Sequence, residues 1–277
     1  MKSESGVILL STFIVMLTLT AIVTGLLYMI SIQTKGIGWD IPSSKAAWLA
    51  EAGLQKAIWN LKTPTGSGGQ GESWTTTGTS ESLGSGSYTM VVARYDFALA
   101  ANGASASDSP VQTSASVGPS KTIDGDDATY WESLRKPASN DPQDLIITFP
   151  YTLTINKVRF LAVSSNERPK DYTWDVSTNG STYTTVVTVN NNNSTDVTDT
   201  FTAAANVNYL RLRTTKIGAG SNGVRIATLE AIGSKITSTG TVSSLNRKIE
   251  QSIVADDASP QNQVAYHEPD WNEIVPA

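Results

Sequence analysis

The residues best suited to chemistry lie in one run, Lys121-Thr122-Ile123-Asp124-Gly125-Asp126-Asp127-Ala128-Thr129-Tyr130-Trp131. Asp124, Asp126 and Thr129 stand two and three residues apart, so a curled loop can turn their hard oxygens inward onto an ion the size of calcium. The same letters also read as a solvated acidic turn, because Asp-Gly favours a turn on its own account. The spacing is not that of an EF-hand, whose ligands are spread over a longer loop. Trp131 reads as a core anchor beside this loop rather than a platform for a ring.

Other chemistries lack raw material. The 277 residues include no cysteine and a single histidine, His267, far from the acidic run. Thiolate nucleophiles, disulfides, Cys-ligated zinc and Ser-His-Asp catalysis are thereby removed, and no carboxylate pair stands out for glycoside hydrolysis. No catalytic residue is assigned, and the chain is not read as an enzyme. The 20 Lys and Arg are outnumbered by 25 Asp and Glu, for a net charge of −5, and they form no basic stripe. Nucleic acid is therefore not an expected partner.

The elements that must carry the acidic loop begin with a membrane-length rod. Val7 to Ile32 holds 26 residues without a formal charge. As a helix it would reach roughly 39 Å, enough to cross a bilayer with tilt. Its polar members are hydroxyls (Ser11, Thr12, Thr18, Thr20, Thr24, Ser31), which can bond to carbonyls of their own helix. Gly36, Gly38 and Pro42 then predict a kink, with Ser43 or Ser44 capping a second helical segment. From Lys45 to Lys62, the spacing of Ala47, Ala50, Leu54, Ile58 and Leu61 is the stripe of an amphipathic helix packed on something globular.

The short leader Met1 to Gly6, ending in glycine directly against the apolar run, resembles the cleavage site of bacterial prepilins and pseudopilins. An ordinary signal peptide has a shorter apolar region and an A-x-A-like site, which is not found here. Ala50-Glu51-Ala52-Gly53-Leu54 is similar to a stretch in the N-terminal helix of PilX-type minor pilins. The resemblance implies cleavage between Gly6 and Val7 by a prepilin peptidase, methylation of Val7, single passage of the inner membrane, and assembly with other pilin subunits into an extracellular pilus. Counting from Val7, the fifth residue is Ser11, where major pilins carry a glutamate that pairs with a neighbour. That departure implies a subunit with no neighbour on one side, at a filament tip.

Residues 63–87, rich in Gly, Ser and Thr, read as a long surface loop. Ser87–Tyr95, Ile236–Ser244 and Asn246–Ala255 read as strands of a small antiparallel sheet on the helix. Between the first and second of these lies an insert, from about Phe97 to Ser234. Its short strands and turn signals argue for a β-sandwich. The clearest strands are Asp144–Phe149, Leu153–Val163, Thr173–Thr178, Thr182–Val189, Tyr209–Thr214 and Val224–Ile232. Within Tyr209-Leu210-Arg211-Leu212-Arg213, alternation sends the leucines inward and leaves the arginines on a solvated face. Asp256 to Ala277, polar and broken by proline, reads as a loose tail.

Four fragments of the insert, in order, resemble a discoidin domain, the coagulation-factor C-type fold shared with carbohydrate-binding modules. They are Lys121–Trp131, Asp175–Tyr183, Tyr209–Leu212 and Leu229-Glu230-Ala231. The resemblance implies a structural Ca²⁺ held by the side chains of Asp124 and Glu230, the hydroxyl and carbonyl of Thr129, and backbone oxygens of Lys121, Asp126 and Leu229. It also implies a sugar site on loops 132–141, 164–170 and 217–225. There Arg135, Asn166, Arg168, Asn222 and Arg225 would donate to hydroxyls, and Tyr130 or Tyr172 would supply a stacking face. Each of these residues alone is ordinary loop surface.

The expected fold is thus an α+β pilin, with a long N-terminal helix and small antiparallel sheet, carrying an inserted all-β discoidin-like jelly-roll sandwich. Its segments are a leader (1–6), helix (7–62), first part of the head (63–96), sandwich (97–234), returning head strands (235–255) and tail (256–277). The expected function is adhesion by a minor pilin through a glycan or other surface ligand. The rival expectation is a secretion-type pseudopilin that primes a filament or touches protein substrates.

Overall fold

A computed structural model of the chain describes residues 4–111, 114–220 and 222–253. In its helix, side chains are described at Phe13, from Met16 to Ile30 and from Ile41 onward. The leader before Glu4, the tail with His267, and the side chains of Val7 and Ser11 lie outside this set.

One helix, α1 (Glu4–Lys62), runs 59 residues without interruption and contains Pro42. No second helix starts at Ser43 or Ser44, because α1 continues through both. Ser43 is used differently, its Oγ accepting from the Arg247 guanidinium at 2.6 Å. Every described side chain from Met16 to Ile30 is exposed. Thr20 and Thr24 donate to the carbonyls of Met16 and Thr20, each at 2.8 Å, so those hydroxyls are satisfied by their own helix. Among the described residues no helix is long and apolar enough to cross a membrane.

The strands are β1 (Thr76–Leu83), β2 (Gly86–Asp96), β3 (Ser105–Ser109), β4 (Trp131–Glu132), β5 (Gln143–Ala162), β6 (Pro169–Ser177), β7 (Thr184–Val189), β8 (Asp196–Ile217), β9 (Arg225–Val242) and β10 (Leu245–Ile253). All described pairings are antiparallel, in the order β1-β2-β9-β5-β8-β6-β7, with β10 and β4 on β9 and β3 on β5. Part of the expected surface loop is strand. β1 and β2 form a hairpin whose Leu83 and Gly86 pair across a two-residue turn with Gly84 at φ +62°. The polar composition that suggested a loop is that of an exposed edge strand.

Two separate cores result. The first joins Ala46, Leu49, Ala50, Leu54, Ala57, Ile58 and Leu61 of α1 to Tyr88, Met90 and Val92 of β2, Ile236 and Val242 of β9, and Ile249 and Ile253 of β10. The second gathers buried residues from Phe97 to Ala231, including Trp131, Phe160, Trp174, Leu210 and Leu212. Two expected strands, Asp144–Phe149 and Leu153–Val163, are one strand, β5. Its register with β8 shifts between Thr148 and Lys157, which bends it around the core. Likewise β9 joins the last expected sandwich strand to the returning head strand. Its Ala162-facing part pairs with β5, and Ile232 to Thr241 pairs with β2.

Where the two cores meet, the Asp96 carboxylate accepts from the backbone N–H of Ala98 at 2.8 Å and of Ala231 at 2.9 Å. Burial pushes its pKa up to about 6.

Candidate functional site

The acidic run curls because its residues bond to their own backbone. Asp124 Oδ1 accepts from Asp126 N at 3.0 Å, Asp126 Oδ1 accepts from Ala128 N at 2.9 Å, and Gly125 takes the left-handed φ of +81°. The Thr129 hydroxyl then faces three acceptors: Asp124 Oδ2 at 2.8 Å, the Asp126 carbonyl at 3.1 Å and the Lys121 carbonyl at 3.2 Å. It has one proton to give. The Lys121 ammonium stands 3.9 Å from Asp124 Oδ2, and converging oxygens of this kind are the ligand set that a hard cation such as calcium takes.

The strand side is different from the one implied by resemblance. Glu230 is held by the guanidinium groups of Arg94 and Arg159, the latter at 3.0 Å. The β9 side chain that reaches the acidic loop is Thr228, whose hydroxyl donates to Asp127. Leu229 has a fully buried side chain and pairs with Phe160 in the ladder. Among the described residues, no group of three or more His, Cys, Asp or Glu side chains is gathered as metal ligands. Trp131 is buried beside the loop and donates from Nε1 to Asp108 Oδ2 at 2.7 Å.

At the start of β9, three loops are tied together. Ser133 N donates to the Val224 carbonyl and Val224 N to Ser133 Oγ, both at 2.9 Å. Arg225 N donates to the Glu167 carbonyl at 3.1 Å, and Gly220 N to the Asn166 carbonyl at 2.9 Å. Over this frame lies Arg225, which pairs with Glu132 at 3.1 Å and Glu167 at 3.3 Å, and sits 5.4 Å from the centre of the Tyr130 ring. The two carboxylates hold its guanidinium in the charged form, with the Glu132 hydrogen bond the leading cause. The result is one aromatic ring, one forked donor and two acceptors within a single loop cluster.

The other expected sugar contacts are spread around it. Arg135 reaches Asp141 at 3.5 Å and is 62% exposed, and Asn222 is exposed. Arg168 is turned onto its own neighbourhood, donating to the Asn192 carbonyl at 3.1 Å, to Asn193 Oδ1 at 3.2 Å and to the Ser165 carbonyl. Tyr172 offers no stacking face: it is buried against Phe160 and donates its hydroxyl to Asp199 at 2.9 Å.

Arg211 is likewise no solvated face residue. It pairs with Asp175 at 2.8 Å and Asp144 at 3.5 Å, with its guanidinium 3.9 Å from the Tyr183 ring centre. Leu210 and Leu212 do point inward. Glu132, Glu167 and Thr228 were missed by sequence reasoning. Glu132 lies next to the acidic run and was legible by proximity, whereas nothing local marks Glu167 or Thr228.

Residues 103–229 match the F5/8 type C domain model, so the insert is a discoidin-like antiparallel β jelly roll. No protein with curated annotation matches the chain. Among solved structures, the chain is similar to chitosan-binding module 1 of a chitosanase/glucanase from Paenibacillus sp. IK-5, at 25% identity and a TM-score of 0.43 over 50% of this chain and 98% of that one. Module 2 of the same enzyme, solved with chitotriose, gives 26% identity and a TM-score of 0.42 over 50% and 98%. A family 32 carbohydrate-binding module from Streptococcus pneumoniae EndoD gives 12% identity and 0.42 over 49% and 97%.

Proposed function

We propose that the chain is a minor pilin of a type IV pilus or related filament that displays a carbohydrate-binding discoidin-like domain for adhesion. The observation that carries the binding half is the loop cluster of Tyr130, Glu132, Glu167 and Arg225, within a segment matching the F5/8 type C model. A ring that packs on sugar C–H groups, with a guanidinium fork and carboxylates for hydroxyls, suits a pyranose.

The pilin half rests on the uncharged run after Gly6 and on the exposed apolar side chains of α1, which need lipid or neighbouring helices to cover them. In this reading a prepilin peptidase cleaves after Gly6, Val7 becomes the methylated N-terminus, and the protein passes from the inner membrane to an extracellular pilus, at its tip. A calcium ion held by Asp124, Thr129 and the Lys121 and Asp126 carbonyls braces the sandwich. The protein is not an enzyme.

The test is a glycan array probed with the full chain and its Arg225→Ala variant, with folding checked by circular dichroism. Binding that the variant loses supports the reading; binding by neither overturns the adhesive half. Mass spectrometry of the native protein should find Val7 at the N-terminus, and Met1 there overturns the pilin half. The pairing of Arg135, Arg168 and Arg225 within the chain favours one second reading. In it, a pseudopilin uses the loops as a preformed protein-contact surface, and the array stays blank.

A further inference from the structure

A second cleft lies between the head and the sandwich, away from the loop cluster. Its volume is about 280 Å³, close to the lower end for small-molecule sites, roughly 300 Å³. Glu72 and Trp74 line it from the loop after α1, Arg94 from β2, Ser234 from β9, and Lys157 and Thr198 from β5 and β8 of the sandwich. Ser234 lies nine positions after Arg225 along β9, which puts roughly 30 Å of strand between the two sites.

The charges of this cleft are already matched. Lys157 pairs with Glu72 at 3.1 Å, and Arg94 pairs with Glu230, which Arg159 also holds. An ionic ligand would have to compete with those pairs, whereas a neutral polyol would not. The pairs fix their donors and acceptors in place while leaving hydrogen-bonding capacity: the Arg94 side chain is 50% exposed, and Ser234 and Thr198 add hydroxyls. Trp74 supplies the aromatic wall that sugar C–H groups pack against.

We propose that this cleft is a second binding site, for one or two rings of a neutral saccharide. The site goes beyond the loop cluster and does not depend on it. Because head and sandwich each contribute a wall, a bound sugar would bridge the two cores.

The experiment uses the full chain in a phosphocholine detergent, which carries no sugar headgroup. Neutral oligosaccharides of galactose, N-acetylgalactosamine, N-acetylglucosamine and mannose are titrated calorimetrically. Thr198 is exposed, so Thr198→Trp fills the cleft from the sandwich side without entering a core, and Thr198→Ser leaves it open. The expected result is a loss of about tenfold or more in affinity for at least one neutral glycan with Thr198→Trp. Thr198→Ser should leave that glycan's binding near the unmodified value. If Thr198→Trp weakens no glycan, or none of the panel binds, the proposal is overturned. A loss with Arg225→Ala alone also overturns it while leaving the loop-cluster reading intact.

Discussion

Arg159 on β5 and Glu230 on β9 stand opposite one another in the antiparallel ladder, and the guanidinium donates to the carboxylate at 3.0 Å. Arg159 also grips Asp196 at 2.6 Å, and Arg94 of the head sheet reaches Glu230 from the other side. A carboxylate engaged in this way joins sandwich to head.

Glu230→Gln should therefore act on stability. Both partners of the Arg159 pair are mostly buried, so the expected loss is about 1–3 kcal/mol, seen as a lower urea midpoint at unchanged slope. The variant should keep any calcium-induced rise in melting temperature, and Asp124→Ala should lose it. Saturation at about a hundred times Kd would make that rise worth about 2.7 kcal/mol. The reverse pattern would restore Glu230 as a metal ligand.

Gly240 on β9 faces α1 so closely that a Cβ there would lie 2.0 Å from the Ala46 carbonyl and 2.5 Å from Ala50 N. These are backbone atoms and cannot swing aside. Gly240→Ala is expected to cost the head about 1–3 kcal/mol. Because the cores are separate, hydrogen exchange should accelerate in β10 and the C-terminal turns of α1 while sandwich amides such as those of β6 keep their protection. Uniform acceleration would contradict the two-core description.

Asp96 gives the junction a pH dependence. Its carboxyl stands at about 6 in the folded chain against an ordinary 3.8, chiefly through burial; Glu230 adds to the rise, while the Ala98 and Ala231 N–H groups and Arg94 oppose it. The folded form binds the proton more tightly, so its stabilising contribution is complete below about pH 4 and is lost as pH rises through about 6. Asp96→Asn, which can still accept the two N–H groups, should match the unmodified chain near pH 4. It should exceed it by roughly 1–3 kcal/mol at pH 7. A stability difference that does not change between those pH values would refute this.

Arg211 neutralises Asp175, whose side chain is only 2% exposed. Removing one partner of such a pair leaves a stranded charge, so Arg211→Ala should destabilise the sandwich by about 3–5 kcal/mol. Arg211→Lys restores the charge without the fork and should fall between the two in denaturant unfolding.

The sequence by itself determined the local features: the uncharged run, the helical stripe at Ala50, Leu54, Ile58 and Leu61, the alternation at Leu210 and Leu212, and the acidic curl at Asp124 to Thr129. Each is a pattern of period or spacing within a few residues, set by helix pitch, strand pleat or side-chain-to-backbone bonding. Partnership was decided only by the tertiary structure. Glu230 meets Arg159 from 71 residues away, Arg211 meets Asp175 from 36, and Thr228 meets Asp127 from 101. Such pairs depend on strand register and on β5 and β9 each running through two expected elements as one. No local period encodes them, because register is fixed by which faces must be buried together.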